Sequence, residues 1–212
     1  MAIPRAAKTQ RRTRIQEEKE ELILEAALEV FSRRGFLGAT IDQIAEAAGM
    51  SKPNVLYYFR TKEAMHRALM DRLLETWLEP LQAFDAEGDP ASEIRSYIRR
   101  KLEMARDFPR ESRLFANEIL QGAPVIADQL AGPLKTLVDE KVKVIRSWIA
   151  AGKIRRCEPY HLIFSIWATT QHYADFDVQV GAVLGPAYGE GRFEDAARFL
   201  ETLFLRGLGI DV

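Results

Sequence analysis

Residues 40–62 read "TIDQIAEAAGMSKPNVLYYFRTK". Thr40 followed three residues later by Gln43 is a capping-box pattern, in which the hydroxyl accepts from a helix N–H and the amide reaches back to the cap. Ile41, Ile44, Ala45 and Ala48 then share one face at helical spacing, and Gly49 stops the helix. Ser51 is a second N-cap candidate. Pro53 falls in the first turn, where backbone N–H groups lack helical partners anyway. A short helix through Tyr58 follows. Two short helices joined this tightly form a helix-turn-helix, whose second helix enters the major groove of DNA. Ala45 and Ala48 are small enough for close helix approach, and Val55, Leu56 and Phe59 anchor the second helix inward. Lys52, Asn54, Tyr57 and Tyr58 remain for the outside. Lys52 and Asn54, near the helix start, suit base edges, and the tyrosines suit a phosphate backbone. An ordinary helical hairpin is the competing reading of this periodicity.

Upstream, Ile23, Ala26, Ala27, Val30 and Phe31 make one apolar helix face that Gly35 ends. Glu17, Glu18, Glu20 and Glu21 occupy its opening turns, where the helix dipole favours negative charge. Before them comes a basic arm, with Arg5, Lys8, Arg11, Arg12 and Arg14 and no acid until Glu17. Such an arm attracts phosphate chains, or else serves as a solubilising tail. Downstream, Thr61 caps a long helix toward Trp77 and Leu78 that ends around Pro80 or soon after. Further helices hold Ile94, Tyr97, Ile98, Lys101 and Leu102, then Leu114, Phe115 and Ile119, then residues 134–151, 159–176 and 193–205. Gly181 to Gly191 reads as a loop. Neither strand runs nor repeats interrupt the pattern, so the reading is all-α with roughly nine helices.

The 212 residues carry 30 basic and 31 acidic side chains, enough chain for one large or two small domains. The balance hides a split. Residues 1–67 carry 12 Lys/Arg and 9 Asp/Glu, and the remainder 18 and 22, a basic front on an acidic body. The lone Cys157 excludes an internal disulfide framework and suits a reducing cytoplasm. The longest charge-free apolar stretch, Leu162 to Thr170, is too short to span a membrane, and the N-terminus has charge without the apolar core of a secretory signal. Thr169 or Thr170 with His172 and Asp175 loosely echoes a nucleophile–base–acid set, but neighbours three apart on one helix seldom align a relay. With no nucleophile turn, phosphate-cradling loop or His/Cys metal cluster, no catalytic residue, metal or cofactor is expected.

The stretch "ALEVFSRRGFLGATIDQIAEAAGMSKPNVLYYFRTKEAM" resembles the DNA-binding domain of TetR-type transcriptional regulators. The likeness rests on Phe31, Gly35, Thr40, Ile44-Ala45, Ala48-Gly49, Ser51-Lys52, Tyr58-Phe59 and Lys62-Glu63 in combination. It implies DNA-facing roles for Thr40, Ser51, Lys52, Pro53, Asn54, Tyr57, Tyr58 and Lys62. Two positions depart from the pattern: Pro53 stands where the family often has Gly, and Leu56 where it often has Tyr. The resemblance also implies an all-α homodimer that binds operator DNA, a small-molecule effector and no membrane. The division it suggests is an arm over 1–15, a helix-turn-helix domain over 16–67 and an effector-binding and dimerisation domain over 68–212, with the last two helices in the subunit interface.

"WLEPL", "SRLFANEILQGAP", "GKI" and "HLIFSIWATTQHYADF" further resemble a pyrimidine-utilisation branch of that family, which implies uracil or thymine as effector and relief of repression on binding. The residues suit it. Ile163, Trp167, Gln171 and Ala174 share a helix face flanked by Thr170. Trp167 offers a planar wall, and Gln171 a donor and an acceptor for an imide edge. Trp77 supplies a second wall, and Asn117 and Glu118 a polar rim. The blander alternative makes both tryptophans core, with Gln171 satisfied by backbone. Which face of the 160–176 helix looks into a pocket and which, around His172 and Asp175, meets a partner subunit stays open. So do two other functions: a TetR-type regulator of an unrelated hydrophobic ligand, and a nonspecific architectural DNA binder.

Overall fold

A computed structural model describes residues 5–186, 189 and 191–211, with side chains from Arg14 onward. Among them there is no strand. Ten helices have seven residues or more: α1 (Arg5–Gly38), α2 (Ile41–Ala47), α3 (Lys52–Tyr58), α4 (Lys62–Gln82), α5 (Pro90–Asp107), α6 (Pro109–Leu120), α8 (Lys135–Ala150), α9 (Pro159–Asp175), α10 (Asp177–Leu184) and α11 (Arg192–Gly207). A single turn, α7 (Ala127–Gln129), and a π-helical turn, Leu130–Leu134, precede α8. The chain divides into two compact units, Met1–Leu73 with Asn117–Ile126, and Leu74–Ala116 with Ala127–Val212. α4 and α6 contribute residues to both.

In the first unit the capping chemistry is local and complete. Thr40 Oγ1 accepts from the Gln43 backbone, and Gln43 Oε1 accepts from the Thr40 N–H. α2 ends in a full Schellman motif: Gly49 N–H donates to Glu46 O, Met50 N–H donates to Ala45 O at 2.9 Å, and Gly49 adopts φ 62. Ser51 stands at the N-cap of α3 without a side-chain cap bond, and Lys52 instead pairs with Asp42 of α2 at 2.9 Å. Val55 and Ile44 are fully buried with Ile23, Phe31 and Met65. α1 breaks at Gly35 (φ 67) and continues as a short turn to Gly38. The backbone of the basic arm is helical from Arg5, as the start of α1, while the side chains of Arg5, Lys8, Arg11 and Arg12 lie outside the described residues.

The second unit is organised on α5, which packs against α9 and α11, with α8 against α9. Its core joins Ile94, Tyr97, Ile98 and Leu102 of α5 to Val142, Ile145 and Trp148 of α8, Ile163 and Ile166 of α9, and Leu200 and Leu205 of α11. Pro80 lies inside α4, which runs on to Gln82. The carbonyls there are met by Lys141, whose ammonium donates to Gln82 O at 2.7 Å and Phe84 O at 3.0 Å. The loop expected from Gly181 is corrected. The chain turns earlier, at Phe176, and "DVQVGAVL" forms α10 with Gly181 inside it; the helix stops at Gly185, φ 72. One helical glycine costs only about 1 kcal/mol. Asp177 opens that helix and pairs with Arg192 at 2.6 Å.

The conformation of Gly49 generates a direct test. Gly49→Ala meets no steric neighbour, yet it forces a side chain into the left-handed region and should destabilise the protein by about 1–2 kcal/mol. Urea unfolding monitored by helix content measures this; an unchanged midpoint would refute the assigned turn.

Candidate functional site

The exposed face of α3 carries Lys52, Pro53, Asn54 and Tyr57, with Ser51 exposed just before it. Pro53 in the first turn removes no helical hydrogen bond, and buried Val55 fixes the rotation of the helix, so these side chains point outward together. Tyr57 is 76% exposed, unusual for so large a ring, and its neighbour Tyr58 meets it edge-on at 5.1 Å. Thr40 is exposed at the start of α2. Lys62 stands apart. Its ammonium donates to Phe36 O at 2.7 Å and Ala39 O at 2.9 Å and lies over the Phe36 ring, 4.3 Å from its centre. Two of its three donors are thereby committed to carbonyls at and just past the end of α1, and Leu56, where the family often has Tyr, is half-buried.

A second site is a small, partly open cavity in the second unit, with walls that are almost wholly apolar. Leu74, Trp77, Leu78 and Leu81 of α4 form one side, Tyr97 and Lys101 of α5 the floor, Phe115 of α6, Leu134, and Trp167 with Gln171 of α9 the rest. Trp77 is buried and its indole Nε1–H has no hydrogen-bond partner. The other indole is satisfied, since Trp167 Nε1 donates to Tyr97 Oη at 2.5 Å. The Tyr97 oxygen therefore accepts from the wall, and burial raises its pKa, so the phenol keeps its proton.

Lys101 is the unexpected member. It is 3% exposed, and its ammonium sits 5.3 Å from the centre of the Trp77 ring. Burial pulls its pKa down to about 8, opposed by the nearby Asp175 carboxylate. Asp175 is in turn raised by burial, held against that by Ser112, whose hydroxyl donates to it at 2.5 Å, and by Lys101. Asp175 thus turns inward at the end of α9, whereas His172 is exposed and stacks on Phe176. The sequence carried a signal for Lys101. Ile94, Tyr97, Ile98, Lys101 and Leu102 follow one stripe, and a lone lysine on an apolar stripe is either snorkelling or functional.

Trp77, Trp167 and Gln171 therefore come together. Thr170, fully buried, does not line the cavity: its hydroxyl donates to Ile166 O at 2.7 Å, the usual back-bond of a helical threonine. Asn117 and Glu118 are not among its lining residues and belong to the first unit. Glu118 is buried there. Its Oε1 accepts from Val125 N–H at 2.6 Å, and its Oε2 lies 3.8 Å from Nε2 of His66. His66 packs against the rings of Phe31 and Phe36, with Nδ1 unpartnered. Burial lowers its pKa more than Glu118 raises it, so we read it as neutral and the contact as a polar one, not an ion pair. Among the described residues no group of side chains could hold a metal, and no helix is long and apolar enough to cross a membrane.

Comparison with known proteins bears on both sites. Residues 23–69 match the family model "Bacterial regulatory proteins, tetR family", and residues 70–211 match "YcdC-like protein, C-terminal region". The HTH-type transcriptional regulator RutR of Escherichia coli (strain K12) is 47% identical over 201 residues, 94% of this chain and 95% of the relative. The HTH-type transcriptional repressor NicS of Pseudomonas putida is 28% identical over 63% of this chain and 62% of its own. Among solved structures, a TetR-like transcriptional regulator from Rhodococcus sp. RHA1 aligns with a TM-score of 0.68 at 23% identity, over 98% of this chain and 99% of that one. AibR in complex with isovaleryl coenzyme A and operator DNA aligns with a TM-score of 0.68 at 19% identity, over 87% and 97%.

Neutral, buried His66 makes the fold acid-sensitive. Its folded pKa is depressed below the ordinary 6.5, so its contribution is fully present above that value and is lost as the pH falls below it. His66→Gln, which cannot ionise, should narrow the stability gap between about pH 7.5 and about pH 5.5 measured by chemical denaturation. An identical gap in both proteins would show that His66 does not titrate on unfolding.

Proposed function

The chain belongs to the TetR family of bacterial transcriptional regulators, a non-enzymatic family, and from that footing we propose that it is a homodimeric repressor released from operator DNA by a small planar pyrimidine, uracil or thymine. The observation that carries the effector half is the convergence of Trp77, Trp167 and Gln171 on one apolar cavity. Two indoles offer flat walls to a flat ring, and the Gln171 amide offers a donor and an acceptor to an imide edge. Full-length similarity at 47% identity to a regulator named RutR supports the same reading. For the DNA half, Lys52 and Asn54 read base edges while Ser51, Tyr57 and Tyr58 fix the backbone register, with Thr40 and Pro53 beside them. Lys62 acts there mainly by holding the end of α1, and Glu118 supports the turn after α6 rather than the ligand.

Release follows from linkage. Trp77 lies on α4 and Phe115 on α6, the two helices that contribute residues to both units. A ligand that favours one position of α4 need supply only ~1–3 kcal/mol of coupling for graded release, and operator DNA then weakens ligand binding by the same factor. Calorimetric titration of uracil should show weaker binding in the presence of operator, and Gln171→Leu should abolish the uracil-induced rise in melting temperature. Uracil and thymine that leave the wild-type melting temperature unchanged would refute the pyrimidine assignment. Uracil binding that operator leaves unaltered would refute the release mechanism.

The dimer reading rests on exposed apolar rows in the second unit. Phe164, Ala168 and His172 recur every four residues along the outer face of α9, with Phe176 next in the series just past its end, and Phe199 and Leu203 of α11 are 63% and 50% exposed. Rows of exposed apolar side chains of this kind suit an interaction site. Phe199→Glu with Leu203→Glu should convert the protein to a monomer in sedimentation velocity without loss of helix content. A dimer that survives both charges would place its interface elsewhere.

A further inference from the structure

The polar lining of the α4–α5–α9 cavity is one-sided. Lys101 has donors only. Trp77 brings an indole N–H that is buried without a partner. The Tyr97 oxygen already accepts from Trp167, which leaves its own O–H to give. Gln171 alone offers an acceptor, and among the described residues no carboxylate lines the space. The charged and polar groups facing Lys101 are Asp175 of α9, which shares its field, and the Trp77 ring of α4; Ser112 of α6 is hydrogen-bonded to Asp175 behind it. The few polar groups in this otherwise apolar cavity are mostly donors set around a buried cation, an arrangement complementary to acceptors that carry negative charge. An alkyl side chain at position 101 would fill the stripe of α5 without the cost of desolvating an ammonium.

We infer that Lys101 makes the cavity select its effector by acidity, taking a planar cyclic imide by an ionised acceptor edge seated against the ammonium. This rests on the pyrimidine reading above and adds to it which form of the ring is bound. The proton balance is simple: the imide N–H releases its proton to solvent, and the negative charge spreads over the ring nitrogen and the carbonyl oxygens beside it. Nothing is oxidised, and no covalent bond to the protein forms. At neutral pH the cation is largely present, because its pKa stays near 8 even when buried. Below the imide's own pKa, affinity then follows the fraction ionised, so binding tightens by up to roughly tenfold for each pKa unit of added acidity.

The test uses the intact protein and three probes of nearly equal size at one neutral pH: uracil, 5-fluorouracil and 6-azauracil, the last two being the stronger acids. Affinities come from quenching of tryptophan fluorescence, repeated with Lys101→Met and Lys101→Arg after their melting temperatures have been checked. The expected result is tightening in the order of acidity for the wild type, a trend kept by Lys101→Arg and flattened in Lys101→Met. Equal affinities for the three probes in the wild type would overturn the inference without any variant, and would leave the pyrimidine reading intact. An undiminished trend in a folded Lys101→Met protein would remove Lys101 from the role. Failure of all three probes to bind the wild type would overturn the pyrimidine reading, and this inference with it.

Discussion

One ammonium on the buried face of a helix sets the terms for the second unit. α5 is the element on which α9 and α11 pack, and its inward stripe runs Ile94, Tyr97, Ile98, Lys101, Leu102. A charge so placed is tolerated only with partners, because an isolated buried ion costs several kcal/mol. The partners come from two other helices. Asp175, the last residue of α9, supplies the countercharge, itself steadied by Ser112. Trp77 of α4 supplies a ring face. Meeting one cation therefore constrains three helices at once, and the space that remains between them is the cavity.

α9 shows how the same helix serves three environments. Ile163, Ile166, Thr170 and Ala174 are buried. Trp167 and Gln171 turn to the cavity. Phe164, Ala168 and His172 face outward. Its mixture of aromatic, amide and hydroxyl side chains reflects those three surroundings. The threonines, which look like the most reactive groups on it, are quiet: Thr169 and Thr170 both donate to carbonyls of their own helix. The echo of a catalytic relay dissolves in that geometry, since the Asp175 carboxylate accepts from Ser112 and faces Lys101 while His172 is exposed and stacks on Phe176.

The first unit is the part most readable in advance, because its signals act over a few residues. Thr40 and Gln43 form their reciprocal cap, and Gly49 takes the left-handed conformation that ends α2. Ser51 does stand at the start of α3, although its side chain makes no cap bond and the side-chain link between α2 and α3 is the Lys52–Asp42 pair instead. Harder to read was Glu118. With Asn117 it reads as a polar rim of the effector pocket, but its carboxylate is occupied by the Val125 N–H and faces His66, fifty-two positions earlier.

Periodicity and caps, which are local properties of the backbone, were enough to determine an all-helical chain with two short helices joined at Gly49 between Thr40 and Lys62, while the choice of a DNA-binding helix-turn-helix over an ordinary hairpin came from the family resemblance. Even locally the inference had a limit: Gly181 argued for a loop, but the hydrophobic run around it held α10 together until Gly185. What only the tertiary structure decided is which distant groups meet. Whether Lys101 snorkels outward or stays buried depends on Asp175 and Trp77, seventy-four and twenty-four residues away. No local rule reports that, because the energy of a buried charge is a property of its surroundings and not of its neighbours in sequence.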